Sequence, residues 1–352
     1  MTDRTQMTMT PAPLAPEAAG PVLAALDLGT NNCRLLIAHG AGNDFRVVDS
    51  FSRIVRLGEG IAEGDGALVL GDAAMHRTLN ALDVCARKIR RHHVDHARFV
   101  ATEACRRAAN ADDFLARVRR RTGLALEIID CREEACLGAA GCAPLFDPAA
   151  RFVLQFDIGG GSTELSWVAV SADGAHRVVA CMSLSCGVSS LSRFHDGGVC
   201  PDQTYQAMVA HVGERMRPFI EVNGIAEEIA SGAVQMVGTS GTVTTLAGLH
   251  FGLSRYDRSQ VDGSVLDFDT VLALIRRVAA LDYEDRAALP CVGRARADLL
   301  VCGCALVEAI CRLCPVGKLS VGDRGVREGI LYALAAAAAA ATVGSAAAGA
   351  PT

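Results

Sequence analysis

The sequence predicts an α/β protein made of two duplicated lobes that face a common cleft. Three observations lead to this fold class: one segment pattern occurs twice, strand-like and helix-like segments alternate, and the chain has 352 residues. That length exceeds what a single hydrophobic core ordinarily covers, so two domains of ordinary size are expected.

The repeated pattern is a hairpin with an acidic residue before its turn. Residues 22–38 and 152–168 align on Asp27 and Asp157, and each has an apolar strand, a turn of small residues and a second apolar strand. The segment after each turn is strand-like, whereas a dinucleotide-binding βαβ unit needs a helix directly after its glycines. That fold is therefore excluded, and the two hairpins indicate a duplication with both turns at one cleft.

The remaining helices and strands are predicted from the periodicity of hydrophobic residues and from the positions of proline and glycine. Between the hairpins, the sequence predicts strands at 45–57, 99–101 and 126–129 and helices at 71–93 and 111–120. After the second hairpin, it predicts strands near 178–183 and 235–238 and helices at 203–222 and 243–249. Such alternation is typical of α/β proteins. We expect an N-terminal lobe at 21–148, a second lobe at 149–326, and disordered tails at 1–20 and 343–352.

Composition limits the classes of function. Hydrophobic residues make up 51% of the chain and charged residues 21%, as in soluble globular proteins. The net charge of -5 gives no reason to expect a nucleic-acid partner. The 14 cysteines lie in apolar stretches without a secretory signal, which predicts reduced thiols and a cytoplasmic location. The alanine-rich C-terminal segment carries too little transfer energy to span a membrane, so no membrane partner is expected.

Three loops of small residues are candidate anion sites, because their backbone N–H groups can approach a phosphate closely. The third opens a predicted helix, whose N-terminus also favours anions. A lone loop of this kind is more often a plain turn, but the matched pair of hairpin loops favours an anion site; in the third loop, Ser and Thr also cap helices without any ligand. The candidate phosphate-binding residues are Thr30, Asn31 and Asn32 in the first loop; Gly159, Gly160, Gly161, Ser162 and Thr163 in the second; and Ser240 and Gly241 in the third.

Carboxylates frame the two hairpin turns. Asp27, Asp157 and Glu164 are candidate ligands of a metal ion, and oxygen donors beside phosphate suit Mg²⁺. The alternative is that the two aspartates only cap turns. Glu134, in the pair that follows the strand at 126–129, is a candidate general base for water. Paired glutamates also commonly mark a solvated helix start.

Arginine suits phosphate because its planar group donates two hydrogen bonds at once. The candidates are Arg106, Arg107, Arg294, Arg296, Arg324 and Arg327. The basic run at 87–98 is better explained as a solvated helix end.

Two further metal sites are rejected. The histidines at 92, 93 and 96 lack a fourth ligand. The cysteines at 302, 304, 311 and 314 lie in one apolar helical stretch and are better explained as buried core residues.

These motifs resemble the exopolyphosphatase and guanosine pentaphosphate phosphohydrolase family (Ppx/GppA) of the actin, sugar-kinase and heat-shock ATPase superfamily. The resemblance covers about residues 22–334. The segments that carry it are 25–32 (ALDLGTNN), 101–110 (ATEACRRAAN), 133–135 (EEA), 156–165 (FDIGGGSTEL), 238–242 (GTSGT), 296–298 (RAD) and 323–329 (DRGVREG).

The resemblance implies two actin-like, ribonuclease H-like lobes that close about a hinge, with a C-terminal helix at 327–342 packed on the first lobe. It implies that Glu134 activates water, that Asp157 and Glu164 organise Mg²⁺ or water, and that Arg106 and Arg296 contact substrate phosphates. It also implies stimulation by K⁺ and a homodimer. One departure is Cys136, where the family usually has an arginine; Arg132 lies on the other side of the pair.

The resemblance implies an exopolyphosphatase of the short two-domain form, which releases orthophosphate from the end of inorganic polyphosphate. The close alternative is a hydrolase of the 5′-terminal phosphate of guanosine pentaphosphate (pppGpp). A non-catalytic polyphosphate or alarmone sensor would use the same cleft. A kinase of the superfamily would need an acceptor site and a catalytic aspartate, and the sequence has no motif for either.

Overall fold

The structure is a computed structural model that describes residues 20–59, 68–194 and 198–348. Nearly all of the N-terminal tail expected at 1–20 lies outside the described residues, as do residues 349–352.

The first sheet is built around the first hairpin, in the strand order β3-β2-β1-β4-β5. Strands β1, β2 and β3 are antiparallel neighbours, while β4 and β5 run parallel to β1. Its strands are β1 (Val22–Leu28), β2 (Asn32–Ala41), β3 (Asp44–Ile54), β4 (His96–Ala101) and β5 (Glu127–Ile128). The helices of this half are α1 (Asp72–Arg91), α2 (Glu103–Arg107), α3 (Ala111–Thr122) and α4 (Cys131–Cys142).

The second sheet repeats this order and adds one edge strand, giving β10-β11-β9-β6-β7-β8. Its strands are β6 (Phe152–Ile158), β7 (Thr163–Val170), β8 (His176–Leu184), β9 (Val234–Thr239), β10 (Val265–Asp267) and β11 (Lys318–Gly322). The helices are α5 (Val188–Leu191), α6 (Asp202–Val222), α7 (Ile225–Ala230), α8 (Gly241–His250), α9 (Arg258–Val261), α10 (Phe268–Ala279), α11 (Tyr283–Ala288), α12 (Arg294–Ala297), α13 (Leu300–Leu313) and α14 (Val326–Ala348). The repeated strand order confirms the predicted duplicated α/β fold.

Helices α4 and α14 cross between the two sheets at very short range. Helix α4 packs small side chains on the second sheet, whereas Ile330 and Leu331 of α14 pack on the first. Glycine makes the crossing possible: a Cβ at Gly329 would lie 2.0 Å from the Leu137 carbonyl oxygen, and one at Gly141 would lie 2.0 Å from that of Gly325. The segment after β11 therefore returns to the first sheet.

The C-terminal helix is longer than predicted. Helix α14 continues to Ala348, so residues 343–348 are helical where a disordered tail was expected. The physical reason is that alanine, which fills this stretch, has the strongest intrinsic helix preference. Among the described residues, no helix is long and apolar enough to cross a membrane. The cysteines at 302, 304, 311 and 314 are buried in the second core, as the sequence indicates.

Candidate active site

The two hairpin turns have the same backbone geometry but different side chains beside them. In the first, Gly29 N–H donates to the Asn32 carbonyl at 2.9 Å, and in the second, Gly159 N–H donates to that of Ser162, also at 2.9 Å. Arg34 stands opposite Asp27 across the first hairpin. The corresponding positions of the second hairpin hold Glu164 and Asp157. One turn is therefore flanked by two residues of opposite charge and the other by two carboxyls.

The turns meet in the space between the lobes. The backbone of Gly160 lies against Asn31, where an added Cβ would be 2.5 Å from the Asn31 Cβ. Gly161 lies against Thr30 in the same way: an added Cβ would be 2.8 Å from the Thr30 methyl carbon. The carbonyl oxygens of Gly159 and Gly160 accept hydrogen bonds from the N–H groups of Val188 and Ser189 at the start of α5. A side chain at Gly160 or Gly161 would collide with the first turn, so glycine is required at both positions for this close approach.

Glu134 lies at the start of α4, directly across from the second hairpin. The helix begins after Asp130, whose side chain accepts a hydrogen bond from Glu133 N–H at 2.8 Å. The carboxyl groups of Glu134, Asp157 and Glu164 line one small pocket. The structure thus brings together the three residues that the resemblance assigns to catalysis.

Burial sets the proton affinity of these carboxyl groups. It raises the pKa of Glu134 to about 7, against the opposing charge of Arg106. It raises the pKa of Asp157 to about 6. The pKa of Glu164 is raised further above its usual range by burial and by the neighbouring Glu134, although Ser162 and Ser183 donate hydrogen bonds to it. Burial also raises the pKa of Asp27. A carboxyl that titrates near neutrality suits a general base.

Arg106 contacts the predicted base. Its guanidinium donates to Glu134 at 2.6 Å, to Glu103 at 3.1 Å and to the Ile129 carbonyl at 3.0 Å. Glu103 was not among the predicted site residues, yet it is 8% exposed and also accepts a hydrogen bond from Ser185 of the second lobe. Its position directly after β4, the strand that runs parallel to β1, is the signal that would have identified it.

The glutamate pair obtains its cations from outside its own helix. Glu133 forms an ion pair with Arg98 of β4, and Glu134 forms one with Arg106 of α2. Arg132 and Cys136 are both exposed on α4. Two arginines from preceding elements therefore hold the pair, without a cation at position 136.

The third loop lies at the start of α8. Ser240 caps this helix by accepting a hydrogen bond from Val243 N–H at 3.0 Å. The Arg296 guanidinium is exposed and lies against Gly241, within 3.8 Å of the place where a Cβ would be. Ser240 thus has the capping role that the sequence left open, and an arginine stands beside the helix N-terminus.

The carboxylates offer oxygen donors for a cation but do not form a ready-made cage. Among the described residues, no three His, Cys, Asp or Glu side chains are grouped so that they could hold one ion. The predicted set of Asp27, Asp157 and Glu164 is thus spread over two hairpins. Asn31 Oδ1 is buried between the turns without a hydrogen-bond partner in the described chain. Mg²⁺ typically binds one or two protein carboxylates and completes its coordination shell with water and substrate oxygens. These carboxylates, with Asn31 Oδ1, are oxygen donors of the kind that such coordination requires.

Two residues of the 323–329 motif complete the surroundings of Asp27. The charges of Arg34 and Arg327 act on Asp27 and partly offset the effect of its burial. Glu328 is 2% exposed and accepts hydrogen bonds from Arg258 and from Gly325 N–H. The start of α14 is therefore tied to the site by buried charges.

Comparison with known proteins gives consistent matches over most of the chain. Residues 36–338 match the Ppx/GppA phosphatase family. A relative from Mycobacterium tuberculosis, named exopolyphosphatase 2, is 32% identical over 89% of this chain and 98% of its own length. The solved structure of an Aquifex aeolicus PPX-GPPA enzyme is 27% identical, covers 89% of this chain and 99% of its own, and has a TM-score of 0.72.

A second kind of relative is named guanosine-5′-triphosphate,3′-diphosphate pyrophosphatase. The protein of that name from Aeromonas salmonicida is 26% identical over 89% of this chain, which covers 59% of that relative's length. Since the family match spans residues 36–338 and the mycobacterial relative is matched over nearly its whole length, the chain belongs to the Ppx/GppA phosphatase family.

Proposed function

We propose that the protein is an exopolyphosphatase, which hydrolyses the terminal phosphoanhydride bond of inorganic polyphosphate and releases orthophosphate. The observation that carries the proposal is the convergence of Glu134, Asp157 and Glu164 on one pocket beside the glycine turn. The full-length match to a relative named exopolyphosphatase supports the choice of substrate.

In the proposed reaction, Glu134 accepts a proton from the attacking water. Its pKa of about 7 leaves much of it ionised at neutral pH and still basic enough for that transfer. Arg106 holds the carboxylate and balances its charge. The N–H groups of Gly160 and Gly161, with Thr30 and Asn32, bind the terminal phosphate. Thr163, also a candidate from the sequence, is fully buried and donates its hydroxyl hydrogen to the Cys186 carbonyl at 2.7 Å, so it supports the turn from behind. Arg296, with the N-terminus of α8, binds a phosphate further along the chain.

Mg²⁺ is the proposed cofactor, held by Asp157 and Glu164 with Asp27 nearby. When bound, the ion neutralises negative charge on the phosphate oxygens. Asn31 Oδ1, buried without a partner among the described residues, offers one further neutral oxygen between the turns. We also propose stimulation by K⁺, a cytoplasmic location and a homodimer, as the resemblance implies, with lobes at 21–148 and 149–326.

Hydrolysis of guanosine pentaphosphate is the second candidate, and the relatives that carry the guanosine name support it. Both reactions break a terminal phosphoanhydride bond and would use the same groups. The difference must lie in contacts beyond the terminal phosphate.

Phosphate release from each substrate, with Mg²⁺ and K⁺ present, tests the proposal. We expect faster release from polyphosphate than from guanosine pentaphosphate; no release from either would overturn the enzymatic assignment. Glu134→Ala separates an enzyme from a sensor, because an enzyme loses turnover by about 10²–10⁴-fold while it still binds polyphosphate.

A further inference from the structure

Gln155 and Ser166 form a polar pair on the buried face of β6 and β7, two residues further from the turn than Asp157 and Glu164. Gln155 stands opposite Ser166 across the strands, as Asp157 stands opposite Glu164. Since side chains on one face of a strand recur every two residues, all four lie on the same side of the sheet. Gln155 and Ser166 are each 4% exposed, and both line the pocket that contains Glu134.

The amide of Gln155 is satisfied on one side only. Its Nε2 donates to the Cys142 sulfur at 3.4 Å. Its Oε1 is buried and has no hydrogen-bond partner in the described part of the chain. A buried carbonyl oxygen that lacks a donor destabilises a fold by about 1–3 kcal/mol. An amide in the core of a central strand therefore indicates something in the pocket that donates a hydrogen bond to it.

The pocket has the room and the chemistry for water. Helix α4 covers it with small residues, Ala135 and Gly138. A Cβ at Gly138 would lie 3.4 Å from Gln155 Nε2, in close contact with the amide. A buried water generally makes about three hydrogen bonds to polar groups. The acceptor Oε1 of Gln155, the hydroxyl of Ser166 and the carboxylate of Glu134 supply that number.

We propose that Gln155 and Ser166 bind a water molecule in this pocket, and that this water holds the Glu134 carboxylate in the orientation that activates the attacking water. The inference rests on the proposed function, because Glu134 is the proposed base. The Ser166 hydroxyl donates to the bound water, which donates one hydrogen to Gln155 Oε1 and the other to Glu134. Gln155 and Ser166 are thus positioning residues that act through water and do not touch the substrate.

This role predicts a specific kinetic pattern. Gln155→Leu removes the acceptor and fills the space with apolar atoms. We expect kcat to fall about tenfold, as misplacement of a catalytic group does, while KM for polyphosphate stays within about twofold. The midpoint of urea unfolding should change little, because the variant removes both the amide oxygen and the water that it binds and puts apolar atoms in their place. A purely structural glutamine would leave kcat at the wild-type value.

A matched pair at the serine gives an independent test. Thr and Val have nearly the same shape, so Ser166→Thr and Ser166→Val add the same bulk and differ in the hydroxyl. We expect the threonine variant to exceed the valine variant in kcat by about tenfold. Gln235→Leu is the control for loss of a glutamine in this lobe, because Gln235 is already bonded to the Leu145 carbonyl and Ser320, away from the pocket. It should lower stability and leave kcat unchanged.

The outcomes separate the inference from the proposed function. Wild-type kcat in Gln155→Leu, or equal kcat in the Thr and Val variants, would overturn the water-mediated role while an inactive Glu134→Ala leaves the base in place. Full activity in Glu134→Ala would overturn the base itself, whatever the Gln155 variants do. Should Gln155→Leu fail to fold, the serine pair decides the question.

Discussion

Arg106, the arginine that the resemblance assigns to substrate phosphates, donates a hydrogen bond to Glu134 Oε2, on the proposed base, at 2.6 Å. The side chains of both residues are largely buried, with 16% and 14% exposed. The positive charge lowers the pKa of Glu134, and burial raises it more strongly, to about 7. The working pH of the base therefore depends on a residue in another element.

Removal of this charge should shift the pH profile of activity. A general base works ionised, so kcat/KM is expected to fall as pH drops below about 7 in the wild type. In Arg106→Ala the pKa of Glu134 rises, so activity at pH 7 falls by about tenfold or more and partly recovers at higher pH. Initial rates from pH 5.5 to 9.5 measure this fall, which is the acid limb of the pH profile.

Two variants control for charge and for position. Arg106→Lys keeps the cation and should keep the acid limb close to that of the wild type. Arg98→Ala removes an arginine that pairs with Glu133 and Glu127 but not with Glu134, so the limb should not move. A limb that moves equally in Arg98→Ala and Arg106→Ala would contradict a specific role for the Arg106 contact.

Asp157→Asn should abolish turnover and stabilise the fold at alkaline pH. The pKa of Asp157 is raised to about 6, so the folded protein binds this proton more tightly than the unfolded chain. The stabilisation from the protonated form is present at low pH and is lost as pH rises through about 6. Because the introduced amide does not ionise, the free energy of unfolding of the Asp157→Asn variant should exceed that of the wild type by about 1–3 kcal/mol at pH 8. Urea midpoints at pH 8 and pH 5 measure it, and the gain should shrink at pH 5; a gain of the same size at both values would exclude a linkage origin.

The hairpins and their non-equivalence could be predicted because they are local in sequence. Asp157 and Glu164 flank one turn, and register places them opposite each other. The partners of Glu134 could not be predicted in this way. Arg106 and Glu103 follow β4, and they reach the base only because β4 lies beside β1 and β5 leads directly into α4. Such contacts are set by sheet order, which a single sequence specifies weakly.

The crossing of α4 and α14 was equally hard to foresee. The resemblance placed the C-terminal helix on the first lobe, but the contact distances depend on glycines that look ordinary in sequence. Gly141 and Gly329 lie inside helices, where glycine usually lowers stability. Their presence is explained only by the backbone of the other helix at each position. Gln155 is a similar case, since its pocket exists only after α4 packs on β6.

Metal dependence should separate the two hairpins. If the ion binds beside the second hairpin, Glu164→Gln should raise the Mg²⁺ concentration for half-maximal activity by about 10- to 100-fold. Asp27→Asn should act mainly on KM for polyphosphate, because Arg34 stands opposite Asp27 where the second hairpin has Glu164. Mg²⁺ titrations of phosphate release at saturating polyphosphate measure both. A larger Mg²⁺ shift in Asp27→Asn than in Glu164→Gln would place the ion at the first hairpin.

Gly329→Ala should destabilise the protein, although alanine is the better helix former. The new Cβ would lie 2.0 Å from the Leu137 carbonyl oxygen, which is backbone and cannot turn aside. We expect a loss of about 1–3 kcal/mol or more in the free energy of unfolding, since overpacking forces the two helices apart.

Gly213→Ala is the matched control: Gly213 also lies inside a helix, but its Cβ would meet nothing within 4 Å. That variant should gain up to about 1 kcal/mol from helix preference alone. Thermal or urea unfolding of both variants should therefore give shifts of opposite sign, and a Gly329→Ala variant at least as stable as the wild type would show that the helices can separate without loss of stability.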